Sequence, residues 1–132
     1  MLDQSVRAFL DEVRFASVAT INPDGSPQQT VLWYELQGEE IMMNTARGRV
    51  KDRNLRRDSR ISFCLEDGYR YLTLTGTCVL IGAQATAQDD IRRLAIRYHG
   101  QEQGELMSRD QFQQQERVTM RMSIERVSAH GF

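Results

Sequence analysis

Over the first fifteen residues the apolar side chains Val6, Phe9, Leu10 and Val13 recur at intervals near 3.6, which predicts an amphipathic helix over residues 3–14. The period then shortens to two. Phe15 to Ile21 is a β-prone run ending at Asn22-Pro23-Asp24-Gly25, a Pro/Gly turn suited to antiparallel strands. A second strand is expected over Pro27–Leu36 and, after the turn Gln37-Gly38-Glu39, a third over Glu40–Thr45. Residues 47–58 have helical character, with Val50, Asn54 and Leu55 on one side. Ile61, Phe63 and Leu65 then alternate with polar neighbours, Asp67-Gly68 turns the chain, and a long strand returns over Tyr69–Ile81. A helix carrying Ile91, Leu94, Ala95 and Tyr98 should begin near Gln88-Asp89-Asp90 and stop at Gly100. Gln101–Gly104 reads as a polar connection, and Ser108-Arg109-Asp110 as the cap of a short helix reaching about Glu116. Val118, Met120, Met122 and Ile124 close the pattern as a half-buried strand. Six short strands with two or three peripheral helices predict a mainly-β fold, a small closed antiparallel barrel.

Composition narrows this without changing it. A chain of 132 residues and 15.2 kDa is expected to be one domain, 1–132, and 40% hydrophobic with 27% charged residues is ordinary for a globular protein. No apolar run approaches the roughly 18–20 residues of a membrane span. The N-terminal stretch lacks the apolar segment of a signal peptide. No membrane association and a cytoplasmic location are therefore expected.

Charge changes the picture more. Lys51 is the single lysine among 17 basic residues, and seven of those residues fall between Arg47 and Arg60 against only Asp52 and Asp58. That segment carries +5 in a chain whose total is -1, so the remainder carries -6. A basic island on an acidic protein suggests a local anionic ligand. Nucleic acid would need a broader basic face with interleaved aromatics, and is not expected. The competing reading is a solvated helix face. Cys64 and Cys78 form no CxxC, and His99 and His130 are far apart, so no metal site is expected.

Two segments are candidates for chemistry. In Asn44-Thr45-Ala46-Arg47-Gly48-Arg49-Val50-Lys51 a strand passes into a helix, where free N–H groups and a glycine favour an anion. If that approach is extended, Arg47, Arg49 and Lys51 point the same way. In Pro27–Tyr34, alternation puts Gln28, Thr30 and Leu32 on one face, a row able to hydrogen-bond and pack against a planar heterocycle. The same alternation also fits a solvent-facing row opposite buried Gln29, Val31 and Trp33. Tyr69 and Tyr71, on one strand face, could cover a ring, or could be ordinary packing. No nucleophile constellation or Rossmann or Walker fingerprint is present, so no catalytic side chain is assigned and the hard chemical step would fall to a cofactor.

The order of these segments, FASVATINPDGSPQQTVLWYEL followed by IMMNTARGRVKDRNLRRDSRISFCLEDGYRYLTLTGT, resembles the pyridoxamine 5'-phosphate oxidase-like split β-barrel superfamily. Within it the chain is similar to the B-type flavin/deazaflavin oxidoreductases that use coenzyme F420, over about residues 5–128, with RxKxRNLRRDxR (Arg49 to Arg60) the most specific part. The resemblance implies a six-stranded antiparallel split barrel of the FMN-binding type and a homodimer with cofactor sites at the interface. It implies that Arg49, Lys51 and Asn54, with Arg47 secondary, meet the cofactor phosphate and tail. Gln28, Thr30 and Leu32 would lie beside the ring system, Asn44 and Thr45 at the end of the next strand, and Tyr69 and Tyr71 would be contributed across the dimer. The basic, proline-containing C-terminal segment of the pyridoxamine phosphate oxidases is missing from Ser123–Phe132, which disfavours vitamin B6 oxidation. The implied activity is hydride transfer from reduced deazaflavin to a conjugated substrate of quinone, enone or tetrapyrrole type. The alternatives are an FMN-dependent oxidoreductase, or a non-catalytic carrier or sensor of flavin, deazaflavin or tetrapyrrole.

Overall fold

The computed structural model describes residues 1–132. Its elements are α1 (Gln4–Asp11), β1 (Ala16–Ile21), β2 (Pro27–Leu32), β3 (Glu35–Gln37), β4 (Glu40–Ala46), α2 (Val50–Arg57), β5 (Arg60–Asp67), β6 (Arg70–Ile81), α3 (Gln84–His99), α4 (Gln101–Asp110), a short 3-10 turn (Phe112–Gln114) and β7 (Arg117–His130). The strands form one antiparallel sheet in the order β2-β1-β5-β6-β7-β4-β3. Its two edges, β2 and β3, are consecutive in the chain, so the sheet curls round on itself and closes through covalent backbone rather than a ladder. This is the mainly-β antiparallel barrel that the alternation predicts, in the split form that the resemblance implies, and no helix in it is long and apolar enough to cross a membrane.

There are seven strands rather than six because Trp33 and Tyr34 interrupt the expected strand Pro27–Leu36. The cause lies on α3. The Tyr34 N–H donates to the Tyr98 hydroxyl at 3.0 Å, and its carbonyl accepts from Arg97 Nε at 3.0 Å, so side chains replace the ladder bonds there. Tyr34 itself is fully buried, edge-on to Phe63, and its hydroxyl donates to the Leu10 carbonyl at 2.7 Å, with the Glu12 carbonyl at 3.1 Å. Burial accordingly pushes its phenol well above the usual tyrosine range. Tyr34→Phe is expected to cost about 1–2 kcal/mol, read as a lower urea midpoint at unchanged slope.

One barrel face of each strand fills the interior with Val18, Met43, Phe63, Leu74 and Met120, closed at one end by Phe9 and Leu10 of α1. Ile41 to Thr45 are buried without alternation because β4 is covered on both sides. Ile41 and Met43 face the barrel, while Met42 packs outward with Ile91, Leu94, Ala95 and Phe112 beneath α3. The segment Gln101–Gly104, expected as a connection, is the start of α4. Gly104 lets the two helices touch, since a Cβ there would lie 2.6 Å from Ile96 backbone. The helix expected over Ser108–Glu116 is therefore only the end of α4 and a 3-10 turn. β7 runs six residues beyond Ile124, to His130, and its register against β6 shifts at Gly76, leaving Glu125 as an extra residue opposite the ladder.

Candidate functional site

The approach to α2 is a turn, not an extended strand, so the expected alternation of Arg47, Arg49 and Lys51 does not occur. Gly48 takes φ 88°, a left-handed conformation, and its N–H donates to Asp52 Oδ2 at 2.8 Å, folding the loop back on the first helical turn. Arg47 leaves toward Glu116 (3.3 Å) in an exposed pair. The buried face of α2 is Lys51, Asp52, Asn54 and Leu55, whereas Val50 is 38% exposed. Asn54 fixes this face to β1: its amide donates to Thr20 Oγ1 and to Asn22 Oδ1, both at 3.0 Å.

The basic island divides on folding. Arg56 stands 3.0 Å from Asp52, Arg60 pairs with Asp58 at 2.8 Å, and Arg57 caps the Ile21 carbonyl and leans on Asn54. Arg49 and Lys51 pair with no carboxylate. Lys51 is only 5% exposed, and burial, then Arg49, then Arg117 hold its ammonium below the usual lysine range. Arg117, at the start of β7, is 7% exposed, and burial and Arg49 pull its guanidinium down to about 10. Lys51 and Arg117 are thus buried without a counter-charge near an exposed and unpaired Arg49, and a buried unpaired charge is costly until an anion arrives.

Gln28, Thr30 and Leu32 do share a face, and it is the barrel-side face of β2, opposite Thr20, Val18 and Ala16 respectively. The alternative of a buried Gln29 and Val31 does not hold in the protomer, where both are exposed. Gln28 Oε1 accepts from Thr20 at 3.1 Å, and the buried Thr30 hydroxyl has no partner. Asn44 and Thr45 face opposite sides of β4. Asn44 looks toward α3 and Arg117, and Thr45 is buried in register with Val118. Tyr69 is in the β5–β6 turn and 94% exposed, not on a strand face, while Tyr71 stacks on His130 at 4.7 Å. Both lie at the far end of the β5–β6 ladder from Arg60, where α2 leads in.

A cavity of about 350 Å³ opens between β2, β4, α3 and α4. Leu32, Trp33 and Phe112 give it an apolar wall, and Asn44, Arg49 and Arg117 a polar one. Trp33 is held by stacking on Tyr98 (5.4 Å) and by the edge of Phe112 (6.1 Å). Arg117 is the residue that sequence reasoning missed. It opens an otherwise alternating strand, far from the basic island, and no local pattern marks it. Cys64 and Cys78 are free, and burial pushes the Cys78 thiol up to about 12, so it is inert at neutral pH.

A family profile described as pyridoxamine 5'-phosphate oxidase matches residues 2–131. Among solved structures, the conserved hypothetical protein Rv2991 from Mycobacterium tuberculosis is 30% identical over 98% of this chain and 84% of its own, with a TM-score of 0.84. A protein named F420 reductase superposes with a TM-score of 0.77 at 21% identity, over 96% of this chain and 98% of that one. The heme storage protein HutZ from Vibrio cholerae does so with 0.74 at 18% identity, over 99% and 96%. At these last identities the likeness is one of fold.

Proposed function

The chain belongs to the pyridoxamine 5'-phosphate oxidase family, and from that premise we propose that it is a cofactor-dependent reductase that binds coenzyme F420, with FMN the alternative, and delivers a hydride to a conjugated organic substrate. The observation that carries this reading is Lys51, a buried ammonium with no carboxylate partner beside the equally unpaired Arg49. A phosphoryl group supplies the missing negative charge, and such charge-assisted bonds are worth roughly 1.5–3 kcal/mol each. The orphaned Thr30 hydroxyl and the free amide nitrogen of Gln28 are the donors expected beside a heterocycle edge, with Leu32 packing on its face. The fold shared with a protein named F420 reductase is in keeping with this choice.

When bound, the reduced deazaflavin supplies the hydride. The chain's own residues bind and orient: Lys51 and Arg49 hold the phosphoryl end, Asn54 keeps α2 seated so that Lys51 stays aimed, and Trp33 and Phe112 exclude water from the adjoining cavity. The reading includes a homodimer. Val31 (64% exposed), Val79 (62%) and Tyr71 (44%) leave apolar surface on the outer sheet face, where a second copy would cover it. Parallel titrations of the purified protein with F420 and FMN, followed by cofactor fluorescence, should saturate with the tighter constant for F420. Addition of a quinone or enone should then oxidise the reduced form. Binding of neither cofactor overturns the proposal, and binding without turnover makes the protein a carrier.

A further inference from the structure

Arg117 is over-prepared for a structural role. Its Nε donates to Asn44 Oδ1 at 2.9 Å, its Nη1 donates to Gln115 Oε1 at 2.6 Å, and the guanidinium lies 5.0 Å above the Phe112 ring. The Asn44 amide is oriented in turn: its nitrogen donates to the Ala87 carbonyl at 2.9 Å and reaches Thr119 Oγ1 at 3.4 Å, and Thr119 donates to Asp90 Oδ2 at 2.7 Å. Because arginine only donates, the Asn44 oxygen must face it, and the whole chain of bonds has one sense. All of this fixes two of the three guanidinium nitrogens with neutral acceptors. The third, Nη2, has no partner in the protein, although the residue lines the cavity and is more than nine-tenths buried. A buried, rigidly held cation with no counter-charge, facing a chamber with one apolar wall, is the complement of a planar anion with an apolar body.

We propose that the cavity beneath α3 and α4 is a substrate compartment selective for aromatic or unsaturated carboxylates, with Arg117 binding the carboxylate and Trp33 and Phe112 flanking the ring. This deepens the reductase reading by naming the substrate class, and rests on it only for the chemistry. Lys51 does not line this cavity although Arg49 does, so the proposal puts the carboxylate on Arg117 and leaves the phosphoryl group to Lys51, with Arg49 on the shared border.

The test uses 2-naphthoate against its neutral isostere 2-naphthamide, titrated calorimetrically into the whole protein without cofactor. The indole N–H resonance of Trp33, the only tryptophan, reports where each binds. Naphthoate should bind about tenfold or more tightly than naphthamide and shift that resonance, as one charge-assisted bond in a desolvated site requires. Arg117→Met should erase the preference and Arg117→Lys restore part of it, each checked for native circular dichroism. The wild-type comparison stands even if a variant fails to fold. Equal affinity for the two probes, an unmoved indole resonance, or displacement of naphthoate by inorganic phosphate overturns the proposal. Naphthoate binding in a protein that takes neither F420 nor FMN keeps this site and removes the cofactor reading. The converse removes only this site.

Discussion

Replacing Lys51 by methionine is expected to raise the Tm of the free protein while abolishing its stabilisation by phosphate, FMN or F420. Methionine keeps the buried aliphatic volume and removes a charge that is desolvated and faces Arg49 and Arg117. Relief of such a charge is worth about 1 kcal/mol or more, a rise of roughly 3–5 °C for a chain of this size. In wild type, ligand at a hundred times its Kd should add about 2.7 kcal/mol. In the variant that increment should vanish. The pH dependence has a definite sign. Because the folded ammonium titrates below the ordinary value of 10.5, the unfolded chain binds more protons in the window just below that value, and wild-type stability gains as pH rises through it. The gain should be missing from the variant, so the two unfolding curves converge toward high pH. A variant that is less stable than wild type at neutral pH, or still stabilised by phosphate, would show that Lys51 belongs to the scaffold instead.

Gly76→Ala is expected to prevent folding. A Cβ there would sit 1.8 Å from the Ser123 carbonyl oxygen and 3.0 Å from its carbon, both backbone atoms of the strand paired beside it. Backbone in the centre of a sheet cannot move aside as a flexible side chain can, so the cost should exceed about 4 kcal/mol. The measurement is soluble yield, then thermal unfolding of whatever folds. Gly48→Ala provides the contrast. Nothing lies within 4 Å of its added Cβ, and only the strain of φ 88° is incurred, about 1–2 kcal/mol. If the two variants behaved alike, close approach of the Ser123 backbone would not be what requires glycine at position 76.

What could be read from the sequence follows the range of the forces involved. The β-alternation of Ile61, Phe63 and Leu65 and the +5 segment are local signals, and both survive in the folded protein as a core-facing strand and a cation-rich corner. The break at Trp33-Tyr34 was illegible because both residues, like Val31 before them, are themselves β-prone. What interrupts it is the hydroxyl of Tyr98 and the guanidinium of Arg97, more than sixty residues away. The sorting of the basic island was equally hidden, since which arginines are neutralised depends on Asp52, Asp58 and Glu116 after folding. Arg117 joins that corner only because β7 lies against β4, in a register that puts it opposite Ala46.

That position of β7 also bears on how the protein is made. Without residues 117–130 the sheet separates into two pieces, β2-β1-β5-β6 and β4-β3, each with a long unpaired edge. The element that joins them is the last of the seven strands in chain order. Barrel closure therefore waits until β7 has been made, and the exposed strand edges of the two pieces must be kept apart in the interval.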